Sequence, residues 1–64
     1  MPRDDKKYFE EHHHITGSAI GSARIFLAKG DADSAKRVLD ECCRKIDLVT
    51  IQYQPATAKI MGLT

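Results

Sequence analysis

Between Gly30 and Pro55 the chain reads GDADSAKRVLDECCRKIDLVTIQYQP, and apolar or small residues recur there at Ala32, Ala35, Leu39, Cys42, Ile46, Val49 and Tyr53. Steps of three and four alternate along the series, so one side of an α-helix collects them and neither side of a strand does. Val38 and Leu48 widen the stripe. On the far side, Lys36, Asp40 and Arg44 form one ladder of opposite charges at i,i+4, and Arg37, Glu41 and Lys45 form another. Such a face stays in water. Gly30 suits the position past a preceding helix, Asp31 suits an N-cap, and Asp33 places negative charge at the positive end of the new helix. Pro55 stops it and biases Gln54 toward extended geometry. The spacing predicts a helix from 31 to 53, with the β-branched run Val49-Thr50-Ile51 as its weakest part.

Upstream, Tyr8, His12, Ile15, Ala19, Ala23 and Phe26 share a second helical stripe, with Phe9, Thr16, Ile20 and Leu27 on its shoulder. Asp4 or Asp5 can cap this helix, which is expected over 5–29. The Gly30 turn then folds the two helices antiparallel, giving an all-α two-helix hairpin with residues 1–4 and 55–64 as terminal segments of a single domain. The tail PATAKIMGLT has no period of its own but carries Ile60, Met61 and Leu63. Three fates are open to it: folding back over the hairpin, forming a short helix, or gripping a partner as a linear segment.

The first helix contains ITGSAIGSARIF, residues 15 to 26, with Gly17 and Gly21 one turn apart. At about 100° per residue the glycines fall on the side of Glu10, His14, Arg24 and Ala28, away from the hairpin seam. Each glycine costs about 0.8–1.0 kcal/mol relative to alanine in a helix interior. Two readings stand: a continuous helix whose glycine side admits a close neighbour, or a break at Thr16-Gly17-Ser18 with Ser18 capping a shorter helix. A phosphate-binding loop is not favoured, because no strand precedes the glycines and no Gly-Lys-Ser/Thr follows.

A chain of 64 residues buries only about 60% of its unfolded surface and needs a staple. Cys42 and Cys43 are adjacent, so a bond between them would strain a helix, and reduced thiols are expected. Oligomerisation is the remaining staple, and two hairpins can bury both stripes as a four-helix bundle. A homodimer or a higher even oligomer is expected, with Ile15, Ala19, Ala23, Phe26, Leu39, Cys42, Ile46 and Val49 as its interface and Gly17 and Gly21 setting the close approach.

The charge balance, Lys+Arg 10 against Asp+Glu 9, lacks the excess of cations that phosphate binding requires. Nucleic acid is thus the second expectation, in which a dimer gathers Arg3, Lys6, Lys7, Arg24 and Lys29 into a basic patch. No apolar run approaches the roughly 18 residues of a membrane span and no apolar leader follows the charged start, so a cytoplasmic protein without a membrane partner is expected. His12, His13 and His14 point about 100° apart on a helix and cannot converge on one metal. Glu10 with His14 has helical spacing for two ligands, which is too few alone; no cofactor is expected. No nucleophile, base and orienting group converge, so no enzyme is expected.

The run Phe26-Leu27-Ala28-Lys29-Gly30-Asp31-Ala32-Asp33-Ser34-Ala35 resembles the turn between the helices of tetratricopeptide repeats, where a Gly-Asp pair precedes a helix restarting with alanine. It covers one hairpin, and the repeat period is absent. A chain of this size and pattern also resembles the small helical-hairpin accessory proteins of temperate bacteriophages. That resemblance implies a regulator or adaptor acting by protein–protein contact on host or phage regulators.

Overall fold

These signals become three helices in the computed structural model, which describes residues 5–63: α1 (Asp5–Ala28), α2 (Ala32–Tyr53) and α3 (Pro55–Ile60). No strand occurs among the described residues. The turn after α1 is a Schellman motif. Gly30 takes φ +78, its N–H donates to the Leu27 carbonyl at 3.0 Å, and the Asp31 N–H donates to the Phe26 carbonyl at 2.9 Å. Only glycine enters this left-handed region without a Cβ penalty. The residue that closes α1 also opens α2: Asp31 Oδ1 accepts from the Ser34 N–H at 3.0 Å, and Asp31 Oδ2 accepts from the Ser34 hydroxyl at 2.6 Å. One Gly-Asp pair therefore satisfies both helix ends and reverses the chain.

The helices meet through small residues. Ala19, Ala23 and Ala35 are buried, while Tyr8, His12, Ile15, Phe26, Val38, Cys42, Ile46 and Val49 flank them half-buried. The expected seam is displaced by a fraction of a turn on α2, where Val38 turns inward and Leu39 stays 46% exposed. Ala32 also stays outside. Leu48, expected to widen the stripe, lies on the outer side at 66% exposure. The charged side of α2 forms an ion pair between the two expected ladders, Arg44 Nη2 to Glu41 Oε2 at i,i+3.

The open end of the hairpin is closed by polar groups. Thr50, which is 1% exposed, donates its hydroxyl proton to the Ile46 carbonyl at 2.7 Å. The Tyr8 hydroxyl, 3.2 Å from Thr50 Oγ1, must then be the donor of that contact, since a threonine hydroxyl has one proton. Gln54 Nε2 donates to Asp5 Oδ1. Helical geometry persists through Val49-Thr50-Ile51 because Thr50 bonds back to its own helix and finds Tyr8 across the seam.

The tail is a third helix. Pro55 occupies its first turn, where the missing N–H costs nothing, and a second Schellman motif ends it: Gly62 at φ +77, Gly62 N–H to the Lys59 carbonyl at 3.2 Å, and Leu63 N–H to the Ala58 carbonyl at 2.9 Å. Ala58 is fully buried and α3 packs on α2. The molecule spans 45 × 22 × 11 Å with a radius of gyration of 13.7 Å, against about 11 Å for a compact domain of this length. It is a slab one helix thick.

Two glycine substitutions should act in opposite directions. Gly30→Ala places a Cβ in the left-handed region and should destabilise by about 1–2 kcal/mol. Gly21→Ala adds a methyl where nothing lies within 4 Å and should stabilise the isolated hairpin by about 0.8–1.0 kcal/mol. Thermal melts followed by circular dichroism at 222 nm check both signs.

The cap responds to acid. The Ser34 hydroxyl, then the Ser34 N–H, hold the Asp31 carboxyl below its ordinary 3.8. A carboxylate depressed in the folded chain stabilises it fully above the ordinary value, and that contribution disappears as pH falls through the lowered one. Asn caps comparably but does not titrate. Melting midpoints between pH 5 and pH 2 should therefore fall less steeply for Asp31→Asn than for wild type; part of the slope persists because the Arg44 guanidinium also holds Glu41 below its ordinary range.

Candidate functional site

A slab of two parallel-sided helices has two broad faces, and the sequence treats them differently. One face carries a groove of about 380 Å³ floored by Ile15, Ala19, Val38 and Cys42. Its banks are His14, Ser18 and Ser22 on α1 and Arg37, Glu41 and Lys45 on α2. Hydroxyls and charges of both signs line it, and it is open to water.

The opposite face is apolar. Phe9 and Leu27 are separated by about five full turns and so lie on one line of α1, with Ile20 within about 20° of that line. Their helical positions put them on the edge of α1 away from Ser18 and Ser22; Leu39 and Cys43 likewise lie on the edge of α2 away from Arg37 and Glu41. Phe9, Ile20, Leu27 and Leu39 are 64%, 53%, 58% and 46% exposed. Four large apolar side chains thus share one face of a chain whose buried apolar residues, among those described, are all alanines. Thr16 sits among them, and its hydroxyl is satisfied within α1 by the His12 carbonyl.

The expected interface residues divide into three groups. Ile15, Ala19, Ala23, Phe26, Cys42, Ile46 and Val49 line the hairpin's own seam, and Ala19 and Ala23 retain little surface for a second chain. Leu39 lies on the apolar face. Gly17 and Gly21 lie on the outer edge of α1, exposed, in a helix that runs through them without a break. The break at Thr16-Gly17-Ser18 does not occur: the Thr16 hydroxyl bonds back to its own helix, and Ser18 sits in mid-helix.

The titratable residues are dispersed. His12 is half-buried, with its ring centroid 5.8 Å from that of Tyr8, whereas His13 and His14 are exposed. Glu10 and His14 are one turn apart on the surface of α1 and offer two ligands; among the described residues no group of three or more His, Cys, Asp or Glu side chains comes together. Cys42 is half-buried on the seam and Cys43 exposed on the apolar face. Of the basic residues, Arg3 lies outside the described residues, Lys6 and Lys7 stand together in the first turn of α1, Arg24 is about five turns further on, and Lys29 is at the hairpin turn. Among the described residues, one chain therefore does not bring Lys6 and Lys7 together with Arg24 or Lys29.

Thr50 and Gln54, which close the open end, are polar residues that no periodicity singles out. Gln54 lacks any helical or capping signature beyond its place before Pro55. Its function depends on Asp5, 49 residues earlier in the chain.

Comparison with protein-family models, with curated proteins and with solved structures finds no match. No helix among the described residues is long and apolar enough to cross a membrane.

Proposed function

We propose that this chain is a non-enzymatic, cytoplasmic interaction protein: a helical hairpin that assembles with itself and acts by protein–protein contact as a regulator or adaptor. The apolar face of a slab 11 Å thick carries this reading. A single layer of two helices cannot enclose a core, and layers become stable when their apolar sides meet another layer. Contiguous apolar surface on a small chain marks a contact site. Two hairpins stacked through it make a four-helix arrangement. The faces that remain outside, the mixed-charge groove and the end of α3 with Ile60 and Met61 exposed, are then available to a second protein. The action would be occlusion or bridging, in keeping with the resemblance to phage accessory proteins.

The expected mass at micromolar concentration is that of an even oligomer, twice 7.2 kDa or more, by sedimentation or light scattering. Ile20→Glu puts a charge at the centre of the apolar face and should shift the population toward the single chain, because a buried unpaired charge costs several kcal/mol. A wild-type chain that is monomeric and melts cooperatively contradicts the proposal.

A further inference from the structure

Residue spacings on the apolar face fit a two-fold axis. On α1, Phe9 and Leu27 are equidistant from Ser18, and Thr16 and Ile20 are equidistant from the same residue. On α2, Leu39 and Cys43 are equidistant from Glu41. Counting inward equally from the Tyr8–Thr50 contact reaches Ser18 and Asp40 together, one residue from Glu41. The two centres of symmetry thus stand at one height on the hairpin, within about 1.5 Å along the axis.

We infer that a second copy of this chain docks on this face about a two-fold axis that crosses both helices at that height. This rests on the proposed self-assembly and specifies its geometry. Each helix then packs antiparallel on its own copy. Phe9 lies on the partner's Leu27, Thr16 on the partner's Ile20, and Leu39 on the partner's Cys43, each contact occurring twice as an isologous interface demands.

Charge follows the same symmetry. Lys36 and Asp47 stand on the same edge of α2 as Leu39 and Cys43, on either side of the centre. The axis brings Lys36 beside the partner's Asp47, again twice, at the rim of the apolar contact, where the exposed Asp40 also comes near its own copy. The same axis on the groove face would instead set Arg37 against the partner's Lys45 and Glu41 against the partner's Glu41, opposing and burying like charges.

A second stacking has its two-fold axis parallel to the helices, with α1 over the partner's α2. Its register would be set by the hairpin itself, placing Thr16 over the partner's Cys43, Ile20 over the partner's Leu39 and Phe9 over the partner's Thr50. Thr50 is already covered within its own chain, so Phe9 would find no pocket there. In the crossing arrangement Phe9 meets an exposed leucine.

Single-cysteine chains distinguish the two. One chain carries Leu39→Cys with Cys42→Ala and Cys43→Ala; the other carries Cys42→Ala alone and keeps Cys43. Mixed and oxidised in air, they should give a mixed-disulfide dimer several-fold more abundant than either chain forms with itself, read by non-reducing electrophoresis and mass spectrometry. Phe9→Cys and Leu27→Cys chains, each without the native cysteines, should pair in the same way, which covers the case in which one variant folds poorly. If the chains are dimeric but Thr16→Cys, rather than Leu39→Cys, links to Cys43, the crossing arrangement is overturned and self-assembly stands. If all variants and wild type sediment as single chains, both fall.

Discussion

Helix contact through alanine is the constraint on which the rest of the structure depends. Ala19 and Ala23 on α1 and Ala35 on α2 are the buried apolar side chains between the two long helices. Small side chains let the backbones come close, but they enclose little volume and bury little area per residue. Hydrophobic stabilisation scales with the apolar area removed from water, at about 25 cal/mol per Å². A seam of alanines therefore holds a hairpin with modest strength. Four of the larger apolar side chains, Phe9, Ile20, Leu27 and Leu39, lie on one face, where this chain alone cannot bury them, while Ile25 and Leu48 are exposed on the other side.

Specificity within the chain comes from the ends of the slab. At the closed end, a glycine in the left-handed region and an aspartate cap leave one way for the chain to reverse. At the open end, Tyr8 with Thr50 and Asp5 with Gln54 set the height of one helix against the other. An alanine seam alone would tolerate sliding by a turn, because Ala19 and Ala23 are equivalent; sliding would break the Tyr8–Thr50 and Asp5–Gln54 contacts, while the Thr50 hydroxyl would keep its own bond to the Ile46 carbonyl, and a buried polar group that loses its partner costs about 1–3 kcal/mol. Gln54 also carries the junction to α3, so the helix that packs on α2 is placed by the residue that ties α2 to the start of α1. Register and the third helix are coupled through that one side chain.

Much of this was legible in the residues. The Gly30-Asp31 turn, the limits of both long helices and the inward position of Cys42 follow from capping chemistry and a 3.6-residue period. Leu39 departs from the expected seam because a stripe wide enough to include both Val38 and Leu39 does not say which points inward; beside the buried Ala35 it is Val38 that does. The third helix was legible in principle: Pro55 and Gly62 bracket it as a first-turn proline and a C-terminal glycine do, but six residues carry too little periodicity to announce a helix. The Asp5–Gln54 contact was not legible, since it joins residues at opposite ends of the chain with no local signal in either. The apolar face appeared only as a shoulder of the α1 stripe. Its meaning required knowing that α2 does not cover it.

The central claim is that the folded hairpin depends on a second layer. Association that accompanies folding makes the melting midpoint rise with protein concentration by mass action. The most direct measurement is the thermal midpoint of the wild-type chain, followed by circular dichroism across a hundredfold range of concentration. A midpoint that climbs steadily with concentration is the predicted result. A cooperative transition whose midpoint stays constant across that range would contradict it, because the slab would then be stable as a single chain.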